Sequence, residues 1–219
     1  MNHRELEEYI SLHCDNEPSY LQRLAHDANV RLLYTRMMSG HVQGRFLKML
    51  VEMIRPSSVL EIGTFAGYAT LCMAEGLSPD AFIDTVEIDD EIEDFIREHF
   101  AGSPFENRIR LHIGDALEIV PRLAKEQKHW DLIFLDADKR LYPCYYTMLK
   151  PLIATGGWLI ADNTLWSGKV TVAMENAALR SKDDQLDGIM TFNEMVANDS
   201  DVEKVILPLR DGLSIIRKH

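Results

Sequence analysis

Cysteine is scarce in this chain. Only Cys14, Cys72 and Cys144 occur among 219 residues, far apart and odd in number. None has the C-x-x-C spacing of a zinc or redox site, so they read as reduced thiols of a cytoplasmic protein. Eight histidines include no H-E-x-x-H, which removes support for a zinc protease. No Lys/Arg run is present and the formal net charge is −12, which argues against nucleic acid or an acidic membrane as partner. No apolar stretch approaches the roughly 20 residues needed to cross a bilayer. The opening Met1-Asn2-His3-Arg4-Glu5-Leu6-Glu7-Glu8 is too charged for a signal peptide. There is no internal repeat, no low-complexity tract and no linker. The G-x-G-x-x-G dinucleotide fingerprint is also missing, which lowers the case for NAD or FAD.

What is present is alternation. The length suits one α/β domain. Residues 1–55 are helical in pattern: one helix over Arg4 to His13, a second opened by Pro18 and running to Leu33, a third from Gln43 to Ile54 that Pro56 stops. From Ser58 to the end, strands alternate with helices. Strands are expected at Ser58–Ile62, Phe82–Val86, Ile109–Ile113, Leu132–Leu135 and Trp158–Ala161. Helices are expected at Tyr68–Gly76, Asp90–Phe100, Ala116–Lys125 and Tyr142–Ile153. This order predicts an α/β fold with a mostly parallel sheet and helices on both faces. Arg210-Asp211-Gly212 between two apolar runs reads as a hairpin turn, which adds an antiparallel strand near one edge. The polar segment from Ser167 to Gln185 reads as a long loop that shapes a substrate pocket.

Two strand ends carry the chemistry. Leu132-Ile133-Phe134-Leu135 stops at Asp136-Ala137-Asp138-Lys139, and Trp158-Leu159-Ile160-Ala161 stops at Asp162-Asn163. Ligands of open α/β sheets bind outside the carboxyl ends of the strands, and neighbouring strands lie about 4.8 Å apart. If these two are neighbours, Asp136, Asp162 and Asn163 can grip one hard cation through oxygen. The first strand runs through Glu61 into Gly63-Thr64-Phe65-Ala66-Gly67-Tyr68, where glycines let backbone approach a nucleotide-like ligand. Glu61 there suits a cationic ligand. Glu87 and Ile88 end the second strand, where an acid commonly holds two ribose hydroxyls, and Asp115 and Ala116 follow the third, beside the place for an adenine ring. The ligand implied is an adenosine with a positive charge. Singly, Glu87 or Asp115 is a solvated acid or helix cap, and Lys139 a surface lysine. A lone histidine such as His41 is more often structural, and Tyr68, Tyr142 and Trp166 are as readily core as pocket lining.

Taken together these motifs resemble the Rossmann-like S-adenosylmethionine-dependent methyltransferases, and within them the cation-dependent O-methyltransferases of the caffeoyl-CoA and catechol type. The likeness runs from about Met37 to the C-terminus, through Ser39-Gly40-His41-Val42-Gln43-Gly44 and the closing Leu207-Pro208-Leu209-Arg210-Asp211-Gly212-Leu213. It implies a seven-stranded sheet with extra N-terminal helices and a homodimer. It implies donor contacts at Ser39, Glu61, Gly63, Thr64, Gly67, Tyr68, Glu87, Ile88, Asp115, Ala116, Asp136 and Asp138. It also implies ligation of Mg²⁺, with Mn²⁺ or Ca²⁺ as substitutes, by Asp136, Asp162 and Asn163, and a general base at Lys139. Ala69 stands where plant members carry a serine that touches the donor. The N-terminal third does not match the plant segment that helps hold CoA, so a smaller catechol or polyphenol is the expected acceptor. The chain is then one methyltransferase domain over 1–219, converting S-adenosylmethionine to S-adenosylhomocysteine. Two alternatives stand beside this: a non-catalytic adenosyl-ligand binder, and a Rossmann NAD-dependent oxidoreductase.

Overall fold

The computed structural model describes residues 3–219; Met1 and Asn2 of the charged opening lie outside the described residues. Three helices come first: α1 (His3–Leu12), α2 (Ser19–Arg31) and α3 (His41–Ile54). The alternating part then follows as β1 (Ser58–Ile62), α4 (Tyr68–Gly76), β2 (Phe82–Glu87), α5 (Glu93–Ala101), β3 (Ile109–Ile113), α6 (Ala116–Leu123), β4 (Trp130–Leu135), α7 (Tyr142–Leu149) and β5 (Ile153–Asp162). After β5 come α8 (Lys169–Glu175), α9 (Ala177–Arg180), α10 (Asp184–Asn198), β6 (Val202–Leu207) and β7 (Leu213–Lys218).

The sheet has seven strands in the order β3-β2-β1-β4-β5-β7-β6. The first five pair in parallel, while β7 is antiparallel to both β5 and β6. Period-two alternation explains the layers. Leu60, Ile133 and Leu159 face a cluster built with α6, α7 and α10; Val59, Leu132 and Ile160 face a second built with α3 and α4. A third cluster joins α2 to α4 and α5 through Leu21, Leu24, Phe95 and Phe100. Each such side chain contributes about 1.5–3 kcal/mol when fully buried. No helix among the described residues is long and apolar enough to cross a membrane.

Four sequence expectations shift. The segment from Ser167 to Gln185 is largely helical, holding α8 and α9 and the start of α10. The unforeseen α10 has a glycine in mid-helix, an isolated breaker in the local pattern, yet it buries Leu186, Ile189, Phe192 and Val196 on one face. Helix α7 stops at Leu149 because a short 3-10 turn, Lys150–Leu152, leads directly into a longer β5. The hairpin places both its strands in the sheet. Leu213 and Ile216 of β7 are fully buried between β5 and β6, whereas Val205 and Ile206 of the outer strand β6 are exposed.

Candidate functional site

Strand order reverses between β1 and β4, so the turns after them flank a crevice at the carboxyl edge of the sheet. Backbone pairing continues past the strand ends and holds these turns side by side. Gly63 N–H donates to Val86 O (2.9 Å), Gly114 N–H to Glu87 O (2.7 Å) and Asp136 N–H to Ile62 O (2.9 Å). Gly63 has φ 95°, and a Cβ there would sit 2.0 Å from the Asp136 carbonyl oxygen, so no other residue lets the two turns pack this closely.

On the β1–β3 side the acids are set into hydroxyls and amides. Glu61 is fully buried. Its Oε2 accepts from Thr70 Oγ1 and from Thr85 Oγ1 (2.6 Å), while Oε1 has no hydrogen-bond partner among the described residues. Burial pushes its carboxyl up to about 8, against the two hydroxyl donors; the charges of Asp136 and Glu87 add to the rise. An orphaned buried carboxylate oxygen is costly unless a donor arrives. Glu87 accepts from the backbone N–H of Phe65 (2.6 Å) and Asp89 (3.0 Å), which ties the glycine turn to the end of β2. Ile88 beyond it is 71% exposed and leaves an apolar ledge on that rim. Ser39 is buried on the segment entering α3.

Several expected donor contacts turn their side chains elsewhere. The Thr64 hydroxyl meets Thr85 Oγ1 (2.5 Å). The Tyr68 phenol is buried and donates to Glu17, fastening the segment before α2 to α4. Asp115 caps α6 by accepting from Leu117 N–H (2.8 Å), the role expected of that acid taken singly. Asp138 caps the turn at 139–141 and is gripped by Arg140, with Nη2 2.5 Å away. His41 is structural: Nε2 meets Asp15 O (2.6 Å) and Nδ1 meets Ser11 Oγ (3.3 Å). Tyr142 is core. Its hydroxyl donates to both Leu135 O (3.1 Å) and Asp162 O (3.0 Å), clamping the two acidic strand ends together.

On the β4–β5 side the carboxylates converge. β4 and β5 are neighbours, with Leu135 opposite Ala161, so Asp136 and Asp162 leave the sheet together. Asp162 is buried and its carboxyl is raised by that burial and then by the negative charge of Asp136. Lys139 Nζ donates to Asp136 Oδ1 (2.7 Å) and lies over the Tyr142 ring, 5.1 Å from its centroid. Asn163 has left-handed backbone (φ 59°), and its N–H donates to Asp162 Oδ1 (2.7 Å). Among the described residues no three His, Cys, Asp or Glu side chains cluster as metal ligands; the candidate set is two carboxylates and one amide. That set suits a hard divalent cation.

Sequence reasoning passed over three supports of this side. Gln43 of α3, 1% exposed, donates to Asp162 Oδ2 (2.6 Å). Gly188 of α10 lies against the Lys139 turn, where a Cβ would meet the Lys139 carbonyl oxygen at 2.2 Å. Arg210 donates to Gln43 Oε1 (3.4 Å). Gln43 and Arg210 stood within the quoted motifs, and Gly188 carried only the signal of a glycine inside a helical pattern.

This geometry can be set beside known proteins. The O-methyltransferase family profile matches residues 10–219. The chain belongs to the O-methyltransferase family. Caffeoyl-CoA O-methyltransferase 1 of Nicotiana tabacum is 33% identical over 186 residues, covering 83% of this chain and 77% of that protein. Caffeoyl-CoA O-methyltransferase 2 of Eucalyptus globulus is 31% identical over 206 residues, covering 92% and 83%. Among solved structures, the O-methyltransferase TomG of Streptomyces achromogenes, in complex with S-adenosylmethionine, matches with TM-score 0.88 at 26% identity, over 100% of this chain and 99% of that one. The Bacillus cereus O-methyltransferase in complex with S-adenosylhomocysteine matches with TM-score 0.88 at 27% identity, over 98% and 97%. The protein is thus an S-adenosylmethionine-dependent O-methyltransferase of the caffeoyl-CoA type, with the Rossmann-like fold expected from its sequence. The dehydrogenase alternative falls with that assignment.

Proposed function

We propose that this O-methyltransferase methylates one hydroxyl of a vicinal dihydroxy aromatic, with a divalent cation held by Asp136, Asp162 and Asn163. The observation that carries the reading is the placement of Asp136 and Asp162 at the ends of adjoining strands, with Lys139 on the first and Gln43 on the second. Bound Mg²⁺, or Mn²⁺ or Ca²⁺ in its place, would lower the pKa of a coordinated diol hydroxyl and so supply an oxyanion nucleophile near neutral pH.

The chain's own residues do the rest. Gln43 and the Asn163 N–H orient Asp162, and Tyr142 fixes the spacing of the two strand ends. Lys139, fixed by Asp136, stands where it can take the phenolic proton. On the other side of the crevice, the free oxygen of Glu61 suits the ammonium of S-adenosylmethionine, Glu87 its ribose, and Ile88 and Ala116 its adenine. Ser39, the backbone of 63–68, Asp115 and Asp138 complete that contact set. Residues 1–55 act as part of the same catalytic unit, and two copies pair as a homodimer.

The test is turnover with labelled donor on a panel of catechols and CoA thioesters, with Mg²⁺ and with EDTA. Methylation of small catechols that EDTA abolishes and Mg²⁺ restores is the expected result. Donor binding without methylation of any vicinal diol would overturn the proposal. Lys139→Met should lower turnover most at neutral pH; full activity in that variant would remove the base.

A further inference from the structure

The turn joining β6 to β7 folds back onto the candidate metal ligands. Thr164 N–H donates to Gly212 O (3.1 Å) and Leu165 N–H to Asp211 O (2.7 Å), so this turn is pinned to the two residues after Asn163. Arg210 precedes Asp211 in the turn with left-handed backbone (φ 48°), an uncommon conformation for an arginine that sets where its side chain leaves the chain. Its Nη1 donates to Met38 O (3.2 Å) and to Gln43 Oε1 (3.4 Å). The same amide of Gln43 holds Asp162 Oδ2 from its nitrogen at 2.6 Å. The guanidinium therefore stands at most roughly 8 Å from a candidate metal-ligand oxygen, two hydrogen-bond lengths plus the width of one amide.

Arg210 has no carboxylate within ion-pair distance among the described residues, and only Nη1 has hydrogen-bond partners there. That leaves the Nε and Nη2 edge, the fork that receives a carboxylate with two parallel bonds. The residue is exposed, so the edge is open to a ligand. Arg36, in the 3-10 turn that precedes Met38, is likewise exposed.

We propose that Arg210 determines acceptor specificity by binding a carboxylate carried on the aromatic ring, so that the enzyme prefers vicinal dihydroxy aromatic acids to neutral catechols. The bound of roughly 8 Å between the guanidinium and Asp162 Oδ2 is within the span of one aromatic ring that carries paired oxygens at one end and a carboxylate at the other. The assignment rests on the vicinal-diol reading of the site.

The test compares kcat/KM for protocatechuate, a catechol ring with one carboxylate, against catechol itself, in the native enzyme, Arg210→Gln and Arg210→Lys. The native ratio should favour protocatechuate. Arg210→Gln should lower that ratio about 10- to 100-fold, mainly through KM, as loss of one bidentate charge-assisted contact requires. Arg210→Lys should restore part of it. An unchanged ratio in Arg210→Gln overturns the assignment even if both rates fall, because a purely structural role through Gln43 would slow both acceptors alike. A loss confined to caffeoyl-CoA would assign the arginine to the phosphates of a CoA ester and also overturn it. Methylation of neither compound by the native enzyme with Mg²⁺ and donor defeats the vicinal-diol reading itself.

Discussion

The two sides of the crevice solve opposite electrostatic problems. On the β1–β3 side, Glu61 is buried among the hydroxyls of Thr70 and Thr85 and Glu87 is served by backbone amides, with no cation among the described residues in hydrogen-bond contact with either. On the β4–β5 side, acids meet charged and amide side chains: Lys139 on Asp136, Gln43 on Asp162, Arg210 behind Gln43. The contrast teaches where the missing charge comes from. A site that leaves one buried acidic oxygen unpartnered among the described residues suits a ligand that arrives already positive, and S-adenosylmethionine is both an ammonium and a sulfonium. A site with two converging acids and a lysine suits a cation that stays while neutral or anionic acceptors come and go.

The sharpest way to break this comparison is to remove the acids of the second side alone. Asp162→Ala should cut kcat/KM by roughly 10³-fold or more, the scale expected when an electrostatic contact at the reacting oxygen is lost. Calorimetry should find S-adenosylhomocysteine binding nearly intact; an equal loss of both would show that the two sides are not separable. The next largest effect belongs to the first side. Glu61→Gln should weaken donor binding by roughly 10- to 100-fold, through loss of a charge-assisted contact.

Glu61 also predicts a pH dependence. Its folded carboxyl sits at about 8, well above the ordinary 4.5. The folded state therefore holds this proton more tightly than the unfolded one, and the stabilisation it gives is complete below the unfolded value and lost as pH rises towards 8. Melts of the ligand-free protein across pH 5–8 should show this decline, and Glu61→Gln should flatten it. An identical slope in the variant would place the titration elsewhere.

Smaller effects sharpen the picture. Gly188→Ala forces a methyl into the Lys139 carbonyl and should destabilise the fold by about 1–3 kcal/mol, as overpacking does, measurable by urea unfolding. It should also slow turnover, since α10 packs directly on the turn that carries Lys139. Asp115→Ala should cost about 1 kcal/mol as a lost helix cap. A large loss of donor affinity with stability unchanged would instead make that carboxylate a ligand contact.

Much of the site was readable from the chain because it is local. Glu61, Gly63 and Glu87 lie at or beside strand ends, and so do Asp136, Asp162 and Asn163. A strand end is marked by apolar residues giving way to turn chemistry. The parallel alternation and the Asp-Gly hairpin were readable for the same reason. The stretch from Ser167 to Gln185 was not, because it has no clear local period and Val170 and Ala173 of α8 join the core cluster only in the folded chain. Equally, Thr64, Tyr68 and Asp115 were named from position, but position does not say that their side chains bind Thr85, Glu17 and the start of α6.

By itself, then, the sequence determined the strand order in the chain, the acids at the ends, and a turn tight enough to need glycine at Gly63, since each follows from a few adjacent residues. Only the tertiary structure decided which strands are neighbours and what stands behind the acids. Gln43 reaches Asp162 across 119 residues of chain, and Arg210 reaches Gln43 across 167. Such contacts leave no period or spacing in the sequence, because they exist only once the sheet has brought distant segments to one edge.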